Sequence, residues 1–180
     1  MRIIAGKYRS TKLETLDGKI TRPTLDQVKE SIFNHLGSYF FGGYVLDAFA
    51  GSGAIGFEFL SRGVEGVDFV EKDKNAFKII KNNYNKLKCP LNCNFYLGDS
   101  FDFIKNNHKK YDYVFIDPPY DQYDLELYLQ LLLSHLHEQS LVIIECLKTS
   151  NIVIPLGYIV DWQKEYRLNK CLILKISSRD

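Results

Sequence analysis

The stretch Asp117-Pro118-Pro119-Tyr120 combines a carboxylate, a rigid backbone with its carbonyl groups, and an aromatic ring. It follows residues 113–116, whose apolar, β-branched and aromatic side chains predict a strand. The two prolines predict that the strand ends there, because neither can donate a backbone hydrogen bond to a sheet. Ligands of open α/β sheets bind beyond the carboxyl ends of the strands, so this stretch is a candidate site. An ordinary Asp-Pro turn is the alternative.

These groups suit the methylation of an exocyclic amine on a nucleobase. Such an amine is a poor nucleophile because its lone pair is delocalised into the ring. The Asp117 carboxylate and the Pro118 carbonyl can accept hydrogen bonds from its two N–H groups and so direct the lone pair at a methyl donor. They can also stabilise the positive charge that develops on the nitrogen. Tyr120 can stack on the base, and a base within a helix would first be extruded from it.

The glycine loop at residues 51–56 is a second candidate site, with the spacing G-x-G-x-x-G between a predicted strand and a predicted helix. Glu71 ends the next predicted strand, 20 positions after Gly51, where an acidic residue binds ribose hydroxyls. The loop therefore predicts a cofactor that contains adenosine. By itself it leaves NAD and S-adenosylmethionine both open.

Three features favour S-adenosylmethionine over NAD. The carboxylate of Asp47, just before the glycines, suits an ammonium or a sulfonium better than a pyrophosphate. Asp99 and Ser100 follow the third predicted strand, where the carboxylate can accept from the adenine amino group. The third feature is the Asp-Pro-Pro-Tyr stretch, for which hydride transfer has no use.

Alternating strand and helix patterns place both candidate sites in one α/β domain. Near-continuous apolar runs predict parallel strands that are covered on both faces. After residue 150 the alternation of strands and helices stops, and two consecutive strands joined by a short turn predict an antiparallel edge of the sheet. Two short strands around a turn near Gly6 are expected within residues 2–16. The predicted strands are 45–49, 67–70, 94–97, 113–116, 141–145, 158–166 and 171–176, and the predicted helices are 25–36, 54–62, 75–87, 100–106 and 125–136.

Length and composition predict one globular domain over residues 1–180, and we expect a monomer. Charged residues make up 25% of the chain, and no apolar run approaches the roughly 20 residues that span a bilayer. Nothing at the start resembles a signal peptide. The four cysteines are too scattered for a disulfide framework or a metal site, so we expect reduced thiols and a cytoplasmic protein.

Positive charge is concentrated at the start of the chain. Residues 1–22 carry six basic and two acidic side chains, a local charge of +4, whereas the whole chain carries +1. This asymmetry indicates a local anion-binding surface. On charge alone, a solvated basic hairpin is the more ordinary interpretation.

Taken together, the motifs resemble the class I amino-methyltransferases, since residues 47–53, Glu71, residues 98–100 and residues 117–120 occur in that order. The residues at the start of the chain restrict the resemblance to one family within this class. Residues 2–6, residues 21–24, Asp26 and Glu30 are similar to the RsmD family, which methylates a guanine N2 in bacterial small-subunit (16S) ribosomal RNA. The resemblance covers nearly the whole chain and is weakest after residue 150.

This resemblance implies a Rossmann-like class I methyltransferase fold. It has a mostly parallel seven-stranded sheet with one antiparallel strand and helices on both faces, plus an N-terminal β-hairpin that contacts RNA. The implied cofactor is S-adenosylmethionine, and the implied partner is ribosomal RNA within a small subunit or its precursor. The implied residues are Asp117, Pro118 and Tyr120 for catalysis; Asp47, Phe49, Ala50, Gly51, Ser52, Gly53, Glu71, Lys72, Asp99 and Ser100 for the cofactor; and Arg2, Lys7, Arg9, Lys12 and Arg22 for RNA.

One departure from the family concerns Gln27 and Lys29, which stand where RsmD proteins usually carry arginine. Neither offers the bidentate fork of an arginine, so neither is included among the RNA-binding residues.

Three alternative functions remain open. An adenine-N6 methyltransferase acting on DNA or RNA would share the site, although no separate target-recognition domain is visible. An NAD-dependent oxidoreductase leaves residues 117–120 unexplained. A non-catalytic RNA-binding protein would have no need of an intact Asp117 and Glu71.

Overall fold

The structure of this chain, a computed structural model, describes residues 1–16, 23–88, 92–119 and 123–177. Two residues predicted to be functional, Arg22 and Tyr120, lie outside the described residues. None of the helices within these ranges is long and apolar enough to span a membrane.

Strands and helices alternate along the described residues as the sequence predicts. The predicted helix 125–136 is too long, because it ends at Leu132 and continues as a 3-10 turn, Leu133–His135. The strand predicted at 141–145 already begins at Leu136. The elements are α1 Pro23–Leu36, β1 Tyr44–Asp47, α2 Ala54–Ser61, β2 Gly66–Glu71, α3 Lys74–Leu87, β3 Asn92–Leu97, α4 Ser100–Asn106, β4 Tyr111–Ile116, α5 Leu125–Leu132, β5 Leu136–Leu147, β6 Tyr158–Glu165 and β7 Asn169–Ile176.

The seven strands form one mixed sheet in the order β3-β2-β1-β4-β5-β7-β6. Strands β1 to β5 pair in parallel, and β7 is antiparallel to both of its neighbours. This confirms a mostly parallel sheet with one antiparallel strand. The chain leaves β1 toward one edge of the sheet and leaves β4 toward the other, so the crevice between their carboxyl ends is the topological switch point where ligands bind.

Helices cover both faces of the sheet, as predicted. Val45 and Phe115 contribute to a core beneath α1, α2 and α3. Leu46 and Ile116 point to the opposite face and join a second core beneath α4 and α5. Successive residues of a strand face opposite sides, so apolar side chains at consecutive positions are required where both sides are buried.

The N-terminal arm, residues 1–16, differs from the predicted hairpin. Its two halves meet at a single antiparallel bridge between Arg2 and Lys12 rather than in two strands. Backbone hydrogen bonds from Ile3 N to Thr11 O (3.1 Å) and from Leu13 N to Met1 O (2.9 Å) support this bridge. The side chains of Ile3 and Leu13 are buried in the core beneath α1. The pairing does not extend beyond this bridge, because the backbone N–H groups of Ile4, Ala5 and Lys7 form hydrogen bonds with α2 instead.

Helix α2 holds the arm through the side chain of Glu58 and through the side chain and the carbonyl of Ser61. The Glu58 carboxylate accepts from the backbone N–H of Ile4 (2.8 Å) and of Ala5 (3.1 Å). The Ser61 carbonyl accepts from the N–H of Lys7 at 2.7 Å. Gly6 makes this approach possible, because a Cβ at that position would lie 1.8 Å from the Ser61 carbonyl oxygen. The arm is therefore docked on the domain.

Candidate active site

The glycine loop between β1 and α2 owes its shape to three glycines. Gly51 and Gly53 have φ values of 57° and 77°, which side-chain-bearing residues rarely adopt. A Cβ at Gly53 would lie 2.6 Å from Phe57, and one at Gly56 would lie 2.3 Å from Phe69, so these two glycines allow α2 to pack closely on the sheet. At Gly51 none of the described residues lies within 4 Å of that position. The backbone of Gly51 is thus the part of the loop that a ligand can approach.

Asp47, the last residue of β1, is only 1% exposed. Its carboxylate accepts a hydrogen bond from the N–H of Gly56 at 3.0 Å. Burial raises the pKa of Asp47 to about 7, and the negative charge of Glu71 acts in the same direction, whereas the bond from Gly56 opposes the shift. A cation beside this carboxylate would lower its pKa, so the site favours a positively charged ligand.

Binding of S-adenosylmethionine should accordingly depend on the ionisation of Asp47. Only the carboxylate attracts the cationic ligand, so the association constant should rise up to about tenfold per pH unit from pH 5.5 to 7 and level off above that range. The amino group of the ligand stays protonated in this window, because α-amino groups titrate near pH ~7.7–8.0. Calorimetry at several pH values measures the slope. Asp47→Asn should bind more weakly at pH 7 with a nearly flat profile, and an equal slope in both proteins would contradict the assignment.

Glu71, at the end of β2, holds the glycine loop through its side chain. Its two carboxylate oxygens accept from the N–H of Gly51 and the N–H of Asp73, both at 2.7 Å. A carboxylate has about four acceptor positions, so both oxygens can still receive ribose hydroxyls. The predicted ribose-binding residue is therefore also a support of the loop that it faces.

Asp99 caps the N-terminus of α4 and lies near Lys72. Its carboxylate accepts from the N–H of Phe101 (2.9 Å) and from the Tyr123 hydroxyl (2.8 Å), and the Lys72 ammonium is 3.6 Å away. Partial burial acts to raise the pKa of Asp99, but the two hydrogen bonds and the Lys72 charge outweigh it and lower the pKa below its usual range. Asp99 is thus an ionised acceptor at neutral pH.

An aromatic cluster adjoins Asp99, and of its members Phe49 was predicted to bind the cofactor, whereas Phe101, Tyr123 and Tyr128 were not predicted to be functional. Tyr123 packs on Phe49 and Phe101, with ring centroids 5.0 Å and 5.7 Å apart. Tyr128 packs on Phe101 at 4.9 Å, and its hydroxyl is hydrogen-bonded to that of Ser100 at 2.7 Å. Ser100 is buried, so its side chain supports these rings. In the sequence alone, the aromatic residues that were not predicted could equally belong to a core, so no motif marked them as part of a site.

Asp117 and Pro118 directly follow β4, and both are half-buried. Asp47 pairs with Phe115 in the sheet, so Asp117 lies two residues beyond the level of Asp47 and on the same face. The structure thus brings the two predicted motifs together at the switch point.

A cavity of about 200 Å³ lies between these motifs. Of the part of the chain that the structure describes, three carboxylates line it, those of Asp47, Asp117 and Glu145, and the last of these was not predicted. The N-terminal arm and α1 form the opposite wall. The other lining residues are Met1, Thr15, Leu16, Val28, Lys29, Phe49, Ala50, Gly51, Ser52, Ala54, Ile55 and Phe115.

The basic residues predicted to contact RNA are exposed where the structure describes them. The Arg2 side chain is 64% exposed and lies 3.7 Å from the carboxylate of Asp26. The side chains of Lys7, Arg9 and Lys12 are also exposed. These four residues all belong to the arm that borders the cavity.

Lys29 has a different role from these arm residues. It is 2% exposed and donates to the Arg2 carbonyl at 2.5 Å, with the Glu58 carboxylate 3.5 Å away. Burial lowers the pKa of Lys29, although Glu58 opposes the shift. Lys29 therefore joins the arm to α2 from inside the protein, which agrees with leaving it out of the RNA-binding set.

Comparison with known proteins identifies close relatives of the chain. A family model described as "Conserved hypothetical protein 95" matches residues 1–175. "Ribosomal RNA small subunit methyltransferase D" of Haemophilus influenzae is 39% identical over 86% of this chain and 83% of that protein. The protein of the same name from Escherichia coli K12 is 34% identical over 81% and 74% of the two chains.

Solved structures show the same fold. The Escherichia coli protein yhhF, which carries the provisional name methyltransferase, superposes with a TM-score of 0.87 at 28% identity over 99% of both chains. The Haemophilus influenzae protein HI0767, provisionally named a methylase, superposes with a TM-score of 0.82 at 33% identity over 97% of both chains.

Proposed function

Because this chain belongs to the RsmD family, we propose that it transfers a methyl group from S-adenosylmethionine to the exocyclic N2 amine of a guanine in small-subunit ribosomal RNA. The observation that supports the proposal is the shared cavity, which is lined by the buried carboxylate of Asp47 and by Asp117, the residue before Pro118. The first suits a cationic cofactor and the second suits a planar amine.

The residues at the switch point fit S-adenosylmethionine. Asp47 would face the positive charge of its methionine portion, and the open Gly51 backbone would allow close approach. Glu71 would accept from the ribose hydroxyls, and Asp99 would accept from the adenine amino group beside the aromatic cluster of Phe49 and Tyr123. When bound, this cofactor supplies an electrophilic methyl group on a sulfonium.

Asp117 and Pro118 provide the polar groups for catalysis. The Asp117 carboxylate and the Pro118 carbonyl accept hydrogen bonds from the two N–H groups of the target amine, and this fixes the direction of its lone pair. As the nitrogen becomes positively charged, the carboxylate stabilises it without reorganising. A base within an RNA helix is extruded into the cavity before this contact forms.

The proposed activity can be tested by transfer of a labelled methyl group. Small ribosomal subunits from bacteria that lack the endogenous RsmD protein serve as substrate, and large subunits from the same cells serve as control. The label from S-adenosylmethionine is expected in small-subunit RNA alone. Label in large-subunit RNA or DNA instead, or none in any substrate, would contradict the proposal.

The exposed basic residues of the arm should determine affinity for RNA. Replacing Arg2, Lys7, Arg9 and Lys12 together by Ala is expected to raise KM for small subunits at least tenfold, because these cations neutralise phosphates. The slope of log affinity against log salt should fall in magnitude by up to about 3. Cofactor affinity, measured by calorimetry, should remain unchanged.

A matched control removes the same charge from the opposite end of the sheet. The exposed Lys86, Lys88, Lys105 and Lys110 lie at or beyond the ends of α3 and α4 or just before β4, away from the carboxyl ends of the strands. Their replacement by Ala should leave KM within about twofold of the wild type. Equal effects of the two quadruple variants would show that only net charge matters.

A further inference from the structure

Glu145 of β5 lies beside Asp117 in the cavity. Ile116 of β4 pairs with Ile144 of β5 in parallel register, so the next residues, Asp117 and Glu145, are neighbours on one face of the sheet. Neighbouring strands are about 4.8 Å apart. Both side chains line the cavity, yet no sequence motif pointed to Glu145, which is 5% exposed.

The Glu145 carboxylate is held in position by a residue of the neighbouring strand β7. The Asn169 side chain on β7 donates to Glu145 Oε1 at 2.8 Å. Glu145 pairs with Cys171 of β7, so its carboxylate and the Cys171 thiol lie on the same face of the sheet. Burial raises the pKa of that thiol, and the charges of Glu145 and Asp117 act in the same direction. A carboxylate has about four acceptor positions, so Glu145 can accept from a ligand as well as from Asn169.

A second carboxylate beside the amine-binding pair distinguishes guanine from adenine. In guanine the N2 amine is flanked by two ring nitrogens, and the one on the Watson–Crick edge, N1, carries a hydrogen and donates. In adenine the ring nitrogen next to the N6 amine has a lone pair and no hydrogen. Glu145 can therefore accept from the guanine edge, whereas the adenine edge would set a lone pair against a buried carboxylate.

We propose that Glu145 accepts the N1–H of the target guanine while Asp117 and Pro118 hold its N2 amine, and that this contact selects guanine over adenine. The inference rests on the proposed function, because it assigns the base specificity of that site. It explains why a buried acidic residue lies where the reaction itself needs only one carboxylate.

The test compares two bases at one position of the RNA. The nucleotide that the wild type methylates is mapped first, and synthetic RNA is then made with guanine or 2-aminopurine there. 2-Aminopurine keeps the amine but has a lone pair at N1. The wild type is expected to prefer guanine by about 10- to 100-fold in kcat/KM. In Glu145→Gln this preference should fall at least tenfold, because the amide can donate to the N1 of 2-aminopurine.

The ratio of the two substrates is measured on one preparation, so a partly unfolded variant lowers both rates equally and leaves the ratio intact. Glu138→Gln is the matched control, since this exposed residue lies on the same strand at its other end. It should keep the wild-type ratio. A wild-type ratio in Glu145→Gln would overturn the inference alone, whereas a wild-type enzyme that forms no N2-methylguanosine would overturn the proposed function and the inference with it.

Discussion

Replacing Asp117 by Asn is expected to lower the rate of methyl transfer to small subunits by about 10²–10³-fold. The substitution keeps the shape of the side chain but removes its charge. It can also turn an N–H donor toward the N–H of the target amine, and two donors cannot form a hydrogen bond. The amine then loses both its orientation and the stabilisation of its developing positive charge. Single-turnover assays with saturating cofactor and RNA measure this rate directly.

Two controls separate this effect from loss of folding. Asp117→Asn should bind S-adenosylmethionine about as well as the wild type, because Asp47, Glu71 and Asp99 are unchanged. The same substitution at the exposed Asp102 on α4 should leave the rate within about twofold of the wild type. Full activity in Asp117→Asn would refute the catalytic role, and loss of cofactor binding would show that the side chain is needed for the site's structure.

Replacing Glu58 by Gln should destabilise the protein by about 3–5 kcal/mol. The fully buried carboxylate lies 2.9 Å from the Arg62 guanidinium and 3.5 Å from the Lys29 ammonium, and it accepts from two backbone N–H groups of the arm. The neutral amide removes the counter-charge of the buried Arg62 and leaves the buried Lys29 with only the more distant Asp26 carboxylate, 4.0 Å away, among the described residues. Denaturant unfolding at pH 7 measures the loss, which should be accompanied by weaker RNA binding because the arm is released.

The exposed Glu65, seven residues farther along the chain, provides the matched control. Glu65→Gln should change the free energy of unfolding by no more than about 0.5 kcal/mol. Adding Lys29→Met to Glu58→Gln should recover part of the lost stability, because it removes a buried charge that has lost its nearest carboxylate. A change below about 1 kcal/mol in Glu58→Gln would mean that the ion pairs do not hold the arm.

The order of strands and helices could be predicted because both faces of the sheet are covered and apolar runs mark each strand. The end of α5 could not, because residues 125–136 are rich in leucine throughout and no break in periodicity separates the helix from the 3-10 turn and β5. Pairing of Leu136 with Tyr111 of β4 draws this segment into the sheet. Long-range pairing thus overrides local pattern here.

In the candidate site, too, residues that belong to a local motif could be predicted, and residues whose role depends on long-range pairing could not. Asp47 and Asp117 could be predicted because each lies at the carboxyl end of a recognisable strand, in a motif of its own. Glu145 could not, because its importance depends on β5 lying next to β4, which is a matter of topology. Glu58 lies in an apolar helix, and its partners in the arm are 53 and 54 residues away, so no local spacing could pair them.

The nucleoside composition of the methylated RNA tests the central claim most directly. Small subunits from cells without the endogenous enzyme are incubated with this protein and S-adenosylmethionine, and the small-subunit RNA is digested to nucleosides and analysed by mass spectrometry. An Asp117→Asn reaction run in parallel gives the background. The wild-type reaction should yield N2-methylguanosine as its one new nucleoside. N6-methyladenosine in its place would assign the protein to the adenine methyltransferases and contradict the account.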